Sequence, residues 1–168
     1  MKYTPKPTDK KMRLIYIALF LITVACLSSP VKGFASTILS SVALVTLVSA
    51  SFLVIKFELT LYTYILLDRE NTIDFYVEKR SGQKGSYVCY FPLSDAKEFV
   101  KFEKGTKKLL REKYKKIRFY NYAKNMFSGA KYCIVFENGS QFDAVLFEPD
   151  DTFINFLNGK SAKRNVEE

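Results

Sequence analysis

The sequence predicts two membrane-spanning helices followed by one α+β domain built mainly from antiparallel strands. Two apolar runs without charged residues, 14–31 and 34–55, lie near the start of the chain. Beyond Lys56 the chain is polar and charged, and its apolar residues recur in the short patterns typical of strands. The predicted organisation is a basic cytoplasmic segment (1–13), a transmembrane hairpin (14–55), a cytoplasmic domain (56–159) and a disordered tail (160–168).

The apolar runs are close to the length of about 20 residues that a helix needs to cross a bilayer. Five basic residues and one acid precede the first run, whereas the short connection between the runs carries Lys32 alone. Because short flanks rich in Lys and Arg stay in the cytoplasm, we expect a multi-pass protein of the cell membrane with both termini cytoplasmic. A signal peptide cleaved before Cys26 is the alternative, but the second run would still leave a membrane protein.

The second apolar run contains small residues at a spacing of four, namely Ser36 with Ser40 and Thr46 with Ala50. Small residues at this spacing allow close approach of helix backbones in lipid. We expect them to pack against the first helix of the same chain, with a dimer interface as the alternative. No ionisable group lies in either run, so nothing indicates a transporter or a channel.

Three strand-like segments follow the hairpin, and turn-forming residues separate them: 60–67, 72–77 and 87–91. Aromatic and β-branched residues dominate these segments, which predicts consecutive antiparallel strands. A later hairpin is predicted where Asn138-Gly139 joins two further strand-like runs, since this pair tolerates the positive φ of a type I′ turn.

The C-terminal region is predicted to form a short amphipathic helix. Pro149 suits its first position, Asp150 and Asp151 suit the positive end of its dipole, and Gly159 can end it. Its apolar face would consist of Phe153, Phe156 and Leu157.

The middle of the domain is less clearly patterned. Residues 117–122 are predicted as a strand. Residues 94–99 are compatible with a strand end or a helical turn, and residues 105–114 with a loop or a short helix.

Strands, a closing hairpin and a C-terminal helix occur in the order of a pleckstrin-homology-like (PH-like) barrel. The runs Leu61-Tyr62-Thr63-Tyr64, Arg118-Phe119-Tyr120-Asn121-Tyr122 and Val145-Leu146-Phe147-Glu148-Pro149-Asp150 resemble membrane-anchored bacterial proteins with two N-terminal spans and a PH-like domain. The resemblance covers residues 10–159. It implies a transmembrane hairpin followed by a PH-like barrel with a C-terminal capping helix, and it carries over no activity.

Residue types that common catalytic and metal sites require are missing from the chain. It has no His, so neither a Ser-His nor a Cys-His pair can form. Its three Cys form no CxxC motif, and Gly105-Thr106-Lys107 lacks the spacing of a phosphate loop. We therefore expect a protein without enzymatic activity, metal or cofactor.

The positive charge of the domain is concentrated in one segment. Residues 101–124 hold ten basic and two acidic residues, a net charge of +8, whereas residues 56–168 sum to only +4. The candidate contact residues are Lys104, Lys107, Lys108, Arg111, Lys113, Lys115, Lys116 and Arg118.

Four interpretations of this segment remain open: a solvated surface, a contact with anionic lipid headgroups, a contact with an acidic protein, and nucleic-acid binding. Basic and aromatic residues also suit single-stranded nucleic acid, but a domain of +4 fixed to a membrane is a poor candidate for it. We expect a membrane-anchored interaction module that binds a protein partner or inner-leaflet lipid. The alternative is a structural or accessory subunit of a larger complex, or a homo-oligomer, acting through its transmembrane hairpin.

Overall fold

The computed structural model describes residues 1–7, 9–69, 72–127 and 129–164, with side chains to residue 159. The chain divides into two compact units. The domain unit comprises Met1–Lys6, Leu61–Lys124 and the chain from Gly129 onward, and the helical unit comprises Pro7–Thr60 and Asn125–Ser128.

The helical unit contains α1 (Lys10–Leu27) and α2 (Phe34–Val54), which a π-helical turn (Ile55–Leu59) extends. The two helices are antiparallel, because Arg13 near the start of α1 bonds Glu58 beyond the end of α2. The first helix ends earlier than predicted, at Leu27 rather than residue 31, shortly before Pro30. A residue that precedes proline is disfavoured in helical conformation, which accounts for the early end.

Small residues of α2 lie against α1. Ala43 and Ala50 are buried, and Thr46 Oγ1 lies 2.7 Å from Thr23 Oγ1 of α1. The expected packing within one chain is therefore present in the structure, although Ser40, expected on the same face, is exposed.

Within the described residues, one helix is long and apolar enough to cross a membrane, the continuous stretch Phe34–Leu59. The eighteen residues of α1 do not meet the same criterion, because they include three basic residues at its start, Lys10, Lys11 and Arg13.

The first sheet has the strand order β1-β2-β3-β4. Its strands are β1 (Lys2–Tyr3), β2 (Thr60–Arg69), β3 (Thr72–Ser81) and β4 (Lys84–Pro92). The three predicted consecutive strands are thus present. The sequence did not indicate β1, which pairs antiparallel with β2 through Lys2–Ile65 and Tyr3–Tyr64.

The second sheet has the order β5-β7-β8-β6. Its strands are β5 (Ala96–Lys101), β6 (Ile117–Asn121), β7 (Tyr132–Asn138) and β8 (Gln141–Phe147). The predicted β7–β8 hairpin is confirmed, with Gly139 at a φ of 63°. The predicted strand at 117–122 is present as β6, for which the sequence assigned no partner. It runs parallel to β8, since the chain crosses over from the β5 edge to the opposite edge before it forms β6.

The eight strands form two four-stranded sheets rather than the closed barrel that was predicted. A 3₁₀ turn (Leu93–Asp95) follows β4, and the chain passes from the first sheet to the second at this turn. Aromatic side chains from both sheets fill the core: the rings of Phe91 and Phe136 stack with their centroids 4.0 Å apart.

A helix, α3 (Thr106–Lys113), lies between β5 and β6 in the chain. A C-terminal helix, α4 (Asp151–Arg164), completes this core with two buried side chains, Phe153 and Leu157. Pro149 is not its first residue as predicted: Asp150 precedes and caps the helix, because Asp150 Oδ1 accepts a hydrogen bond from the Phe153 amide at 2.9 Å. The helix also continues through Gly159 to Arg164, so Gly159 is not its end, and the disorder expected of residues 160–168 stays a prediction. The last four residues of the predicted tail lie outside the described residues.

Candidate functional site

The predicted basic residues are grouped around one helix, α3 (Thr106–Lys113), on the outer face of the second sheet. Leu110 is buried there against Cys133 and Val135 of β7 and Ala144 and Leu146 of β8. Because side chains alternate along a strand, these positions point away from the core that the two sheets share. Gly105, at a φ of 100°, lets the chain turn sharply into the helix.

The two flanks of α3 reach opposite edges of the sheet. On one flank, Lys113 Nζ lies 2.7 Å from Glu98 Oε2 of β5. On the other, Lys107 Nζ and Arg111 Cζ lie 5.3 and 5.7 Å from the ring centroid of Phe119 on β6, within the range of cation–π contacts. The helix therefore lies across the whole sheet with its charged side chains outward.

All eight predicted contact residues are exposed, but the structure separates them by their partners. Lys113 is paired with Glu98, and Arg118 makes two hydrogen bonds of 2.8 and 2.9 Å to Asp143. Lys108 Nζ lies 3.9 Å from Glu112 Oε1. Such a solvent-exposed i,i+4 ion pair is weak, so Lys108 remains available to another anion.

The other five of the eight predicted contact residues have no acidic partner within ion-pair distance in the part of the chain that the structure describes. Together with Lys108 they define the basic face: Lys104, Lys107, Lys108, Arg111, Lys115 and Lys116. Lys116 has a φ of 60°, in the left-handed region, where the chain turns from α3 toward β6. The basic face is therefore smaller than the sequence suggested, since Lys113 and Arg118 are neutralised by acids of the domain.

Arg118 belongs to a polar cluster with Asp143 and Asn138. The Asp143 carboxylate has 4% of its side-chain surface exposed and also accepts a hydrogen bond of 2.8 Å from Asn138 Nδ2. Burial alone would raise the pKa of Asp143, but the bonds from Arg118 and Asn138 outweigh it and hold that pKa below its ordinary value. No local pattern in the sequence indicates this pairing of Arg118 with Asp143.

The described residues contain no group of three or more His, Cys, Asp or Glu that could hold a metal ion. Burial raises the pKa of Cys89 and of Cys133 to about 12, so both thiols stay protonated at neutral pH. A protonated thiol is a poor nucleophile. Neither Cys89 nor Cys133 is therefore activated as a nucleophile.

Two exposed apolar pairs were not singled out from the sequence. Tyr87 and Tyr90 lie on β4, where both rings contact Tyr76. Met126 and Phe127 lie in the loop between β6 and β7, in the part that belongs to the helical unit. Turn-forming and polar residues surround the second pair in the sequence, and a loop of this kind gives no periodic signal.

Comparison with known proteins identifies the chain by its family. No curated protein and no solved structure matches it significantly. Residues 2–168 match the family described as "Bacterial PH-like domain (DUF6106)", which agrees with the two sheets and the C-terminal helix. Because the match extends over nearly the whole chain, this protein belongs to that family of bacterial PH-like domains.

Proposed function

We propose that this protein is a non-enzymatic interaction module of the bacterial cell membrane. In this proposal α1 and α2 both cross the membrane, the domain and both termini are cytoplasmic, and the basic face binds anionic lipid headgroups of the inner leaflet. A protein partner for the same face is the competing outcome that the experiment below distinguishes.

The pairing of β1 with β2 supports two crossings. β1 precedes α1 and β2 follows α2, yet both strands belong to one sheet. A chain that leaves a sheet and returns to it crosses a membrane an even number of times. Since α2 is long and apolar enough for one crossing, α1 would supply the second.

The charge at one end of the helix pair supports the cytoplasmic side. Lys10, Lys11 and Arg13 begin α1, and Lys56 lies in the turn that ends α2. The bond of 3.1 Å between Arg13 Nε and Glu58 Oε1 holds these two ends together. Basic residues that flank membrane helices favour the cytoplasm.

The exposure of the basic face is the observation that carries lipid binding. α3 uses Leu110 to attach to the sheet and leaves Lys107, Lys108 and Arg111 in solvent. Each Lys or Arg near an anionic bilayer contributes about 1 kcal/mol to binding. Leu109, on the exposed side of the same helix, is 66% exposed and adds an apolar contact.

The test measures lysine acetylation in the full chain, reconstituted in nanodiscs of phosphatidylcholine alone or mixed with phosphatidylglycerol. Lys104, Lys107, Lys108, Lys115 and Lys116 should react more slowly in the anionic discs, and Lys79 and Lys84 of the β3–β4 hairpin serve as references. The protection should decrease as salt is added, since exposed charges are screened over about 8–10 Å at 0.1–0.15 M.

A matched pair of variants separates a specific surface from general attraction. Replacing Lys107, Lys108, Lys115 and Lys116 by Gln should remove the protection of Lys104, whereas replacing Lys79 and Lys84 by Gln should leave it. Equal reactivity in both lipids would contradict lipid binding. If the lysines of the basic face are then also slower than Lys79 and Lys84, their protection would indicate a protein contact instead.

A further inference from the structure

We infer that Met126 and Phe127 form an interfacial membrane anchor that inserts into the inner leaflet beside the start of α1. The inference rests on the proposed membrane insertion of the helices, but it concerns a site separate from the basic face. The two side chains would insert into the region of the bilayer where the lipid headgroups meet the acyl chains.

A hydrogen bond ties this loop to the start of the first helix. The Phe127 amide donates to Asp9 Oδ2 at 2.6 Å. Asp9 directly precedes α1, and its carbonyl accepts hydrogen bonds from the amides of Met12 and Arg13 at 3.1 and 3.4 Å. The side chain of a residue in this position commonly accepts a hydrogen bond from a backbone amide in the first turn of its own helix. Here it makes no such bond and holds the loop instead.

The tip of the loop is apolar and exposed. Met126 and Phe127 each have 53% of their surface exposed, whereas Asn125 before them is buried. Two adjacent large apolar side chains held outward by an ordered contact mark an interaction surface more strongly than a single exposed residue does.

The position of Asp9 identifies the bilayer as the occupant of this surface. If α1 enters the membrane, its first basic residues, Lys10, Lys11 and Arg13, lie at the level of the headgroups. The Phe127 amide is bonded to the residue before them and so lies at the same level. Apolar side chains next to basic ones are the composition of segments that insert into the interface plane.

A single tryptophan can report the depth of the loop, because the chain contains no Trp. The variant Phe127→Trp of the full chain is reconstituted in vesicles that contain lipids brominated at a shallow or a deep acyl position. Its emission should shift to shorter wavelength and be quenched more by shallow than by deep bromine. Phe52→Trp, at an exposed position of α2, serves as the control for insertion of the helices and should be quenched in the same vesicles.

The contact with Asp9 provides a second test. Adding Asp9→Ala to Phe127→Trp removes the acceptor of the Phe127 amide, so the shallow quenching should decrease while the control in α2 is unchanged. Quenching that is unaffected by this change would contradict the role of Asp9 in holding the loop.

The remaining outcomes distinguish the anchor from the insertion of the helices. A quenched Phe52→Trp with an unquenched Phe127→Trp overturns the anchor and leaves the proposed topology in place. A blue-shifted but unquenched Phe127→Trp would indicate a protein contact and also overturns the anchor. If Phe52→Trp is not quenched, the helices are not inserted and both proposals fail.

Discussion

Tyr64 shows how a single buried polar group connects separate parts of the domain. Its hydroxyl donates to the Tyr122 carbonyl at 2.9 Å and accepts from the Glu148 amide at 3.2 Å, while its ring packs on Phe147 and Phe153. Burial raises the pKa of Tyr64, so the hydroxyl remains protonated and can donate over the whole working range of pH.

Removing this hydroxyl should destabilise the domain without changing its fold. Tyr64→Phe leaves the Tyr122 carbonyl and the Glu148 amide without this partner, and an unsatisfied buried group costs about 1–3 kcal/mol. We expect a loss of that size in the free energy of unfolding, measured by denaturant titration of the full chain in detergent. The control Tyr87→Phe concerns a ring that is 67% exposed and should change stability by less than about 0.5 kcal/mol. Equal losses in the two variants would refute a specific role for the Tyr64 hydroxyl.

The cluster of Asp143, Arg118 and Asn138 predicts a dependence of stability on pH. The folded-state pKa of Asp143 lies below its ordinary value of about 3.9, so folding favours the ionised form. The resulting stabilisation is fully present above that ordinary value and is lost as the pH falls through the lower folded-state pKa. Asp143→Asn should therefore cost about 1.5–3 kcal/mol at neutral pH, the range for hydrogen bonds to charged groups.

The measurement compares the free energies of unfolding of the wild type and of Asp143→Asn at neutral pH and at about pH 3. The difference between these two free energies should become smaller at the lower pH. Glu137→Gln is the matched control, because Glu137 forms an exposed ion pair of 2.9 Å with Lys97. Such exposed pairs contribute about 0–1 kcal/mol. A difference between wild type and Asp143→Asn that is constant over this range would rule out titration of Asp143 as the cause.

At the level of elements, α4 gives the clearest distinction between what its sequence predicts and what the structure contains. Gly159 would favour a helix end, yet α4 continues to Arg164, and a Cβ added at Gly159 would meet no atom within 4 Å. Glycine inside a helix is destabilising relative to alanine by about 0.5–1 kcal/mol.

Gly159→Ala should therefore raise the free energy of unfolding by about 0.5–1 kcal/mol. If the helix instead ended at Gly159 in a left-handed conformation, the same change would be destabilising, so the sign of the effect decides between the two. Asn155→Ala, at an exposed position of the same helix, provides the control for a change in helix propensity alone. The measurement is thermal unfolding of the full chain in detergent.

Elements with a strong local signal were predicted correctly. The β7–β8 hairpin follows from Asn138-Gly139, and β2 to β4 follow from their aromatic and β-branched composition. By contrast, β1 has two residues, too few to show a period, and it pairs with a strand some sixty positions later. The parallel pairing of β6 with β8 likewise depends on the path of the chain across the sheet, which no local sequence pattern indicates.

The exposure of the candidate contact residues was predictable to a similar extent, whereas their role as a binding surface stays a prediction. Charge density indicated the segment, and exposure of all eight side chains agrees with a charged surface. Their partners were not predictable, because Glu98 and Asp143 come from strands that are distant in sequence from Lys113 and Arg118. The Phe127–Asp9 bond joins residues 118 positions apart and lies beyond any argument from spacing.

At the level of the whole molecule, the proposed topology can be tested with reporters at two positions. A reporter that is active only in the cytoplasm should be active when it is fused after Glu168 and inactive when it is inserted after Val31, between α1 and α2. The positive flanks on one side of both helices are the physical reason for this expectation. Cytoplasmic activity at both positions would contradict a crossing by α2, and activity at Val31 alone would contradict the proposed orientation.

The N-terminal strand also determines how a soluble version of the domain should be designed. β1 covers the edge of β2, and Thr4 Oγ1 lies 2.8 Å from Thr63 Oγ1 just beyond it. A fragment that begins after α2 would lack this cover and expose a strand edge, which is a template for aggregation. The compact domain unit is thus discontinuous in sequence. A flexible Gly/Ser linker that joins residue 6 to residue 61 should therefore yield a fragment that aggregates less than simple truncation does.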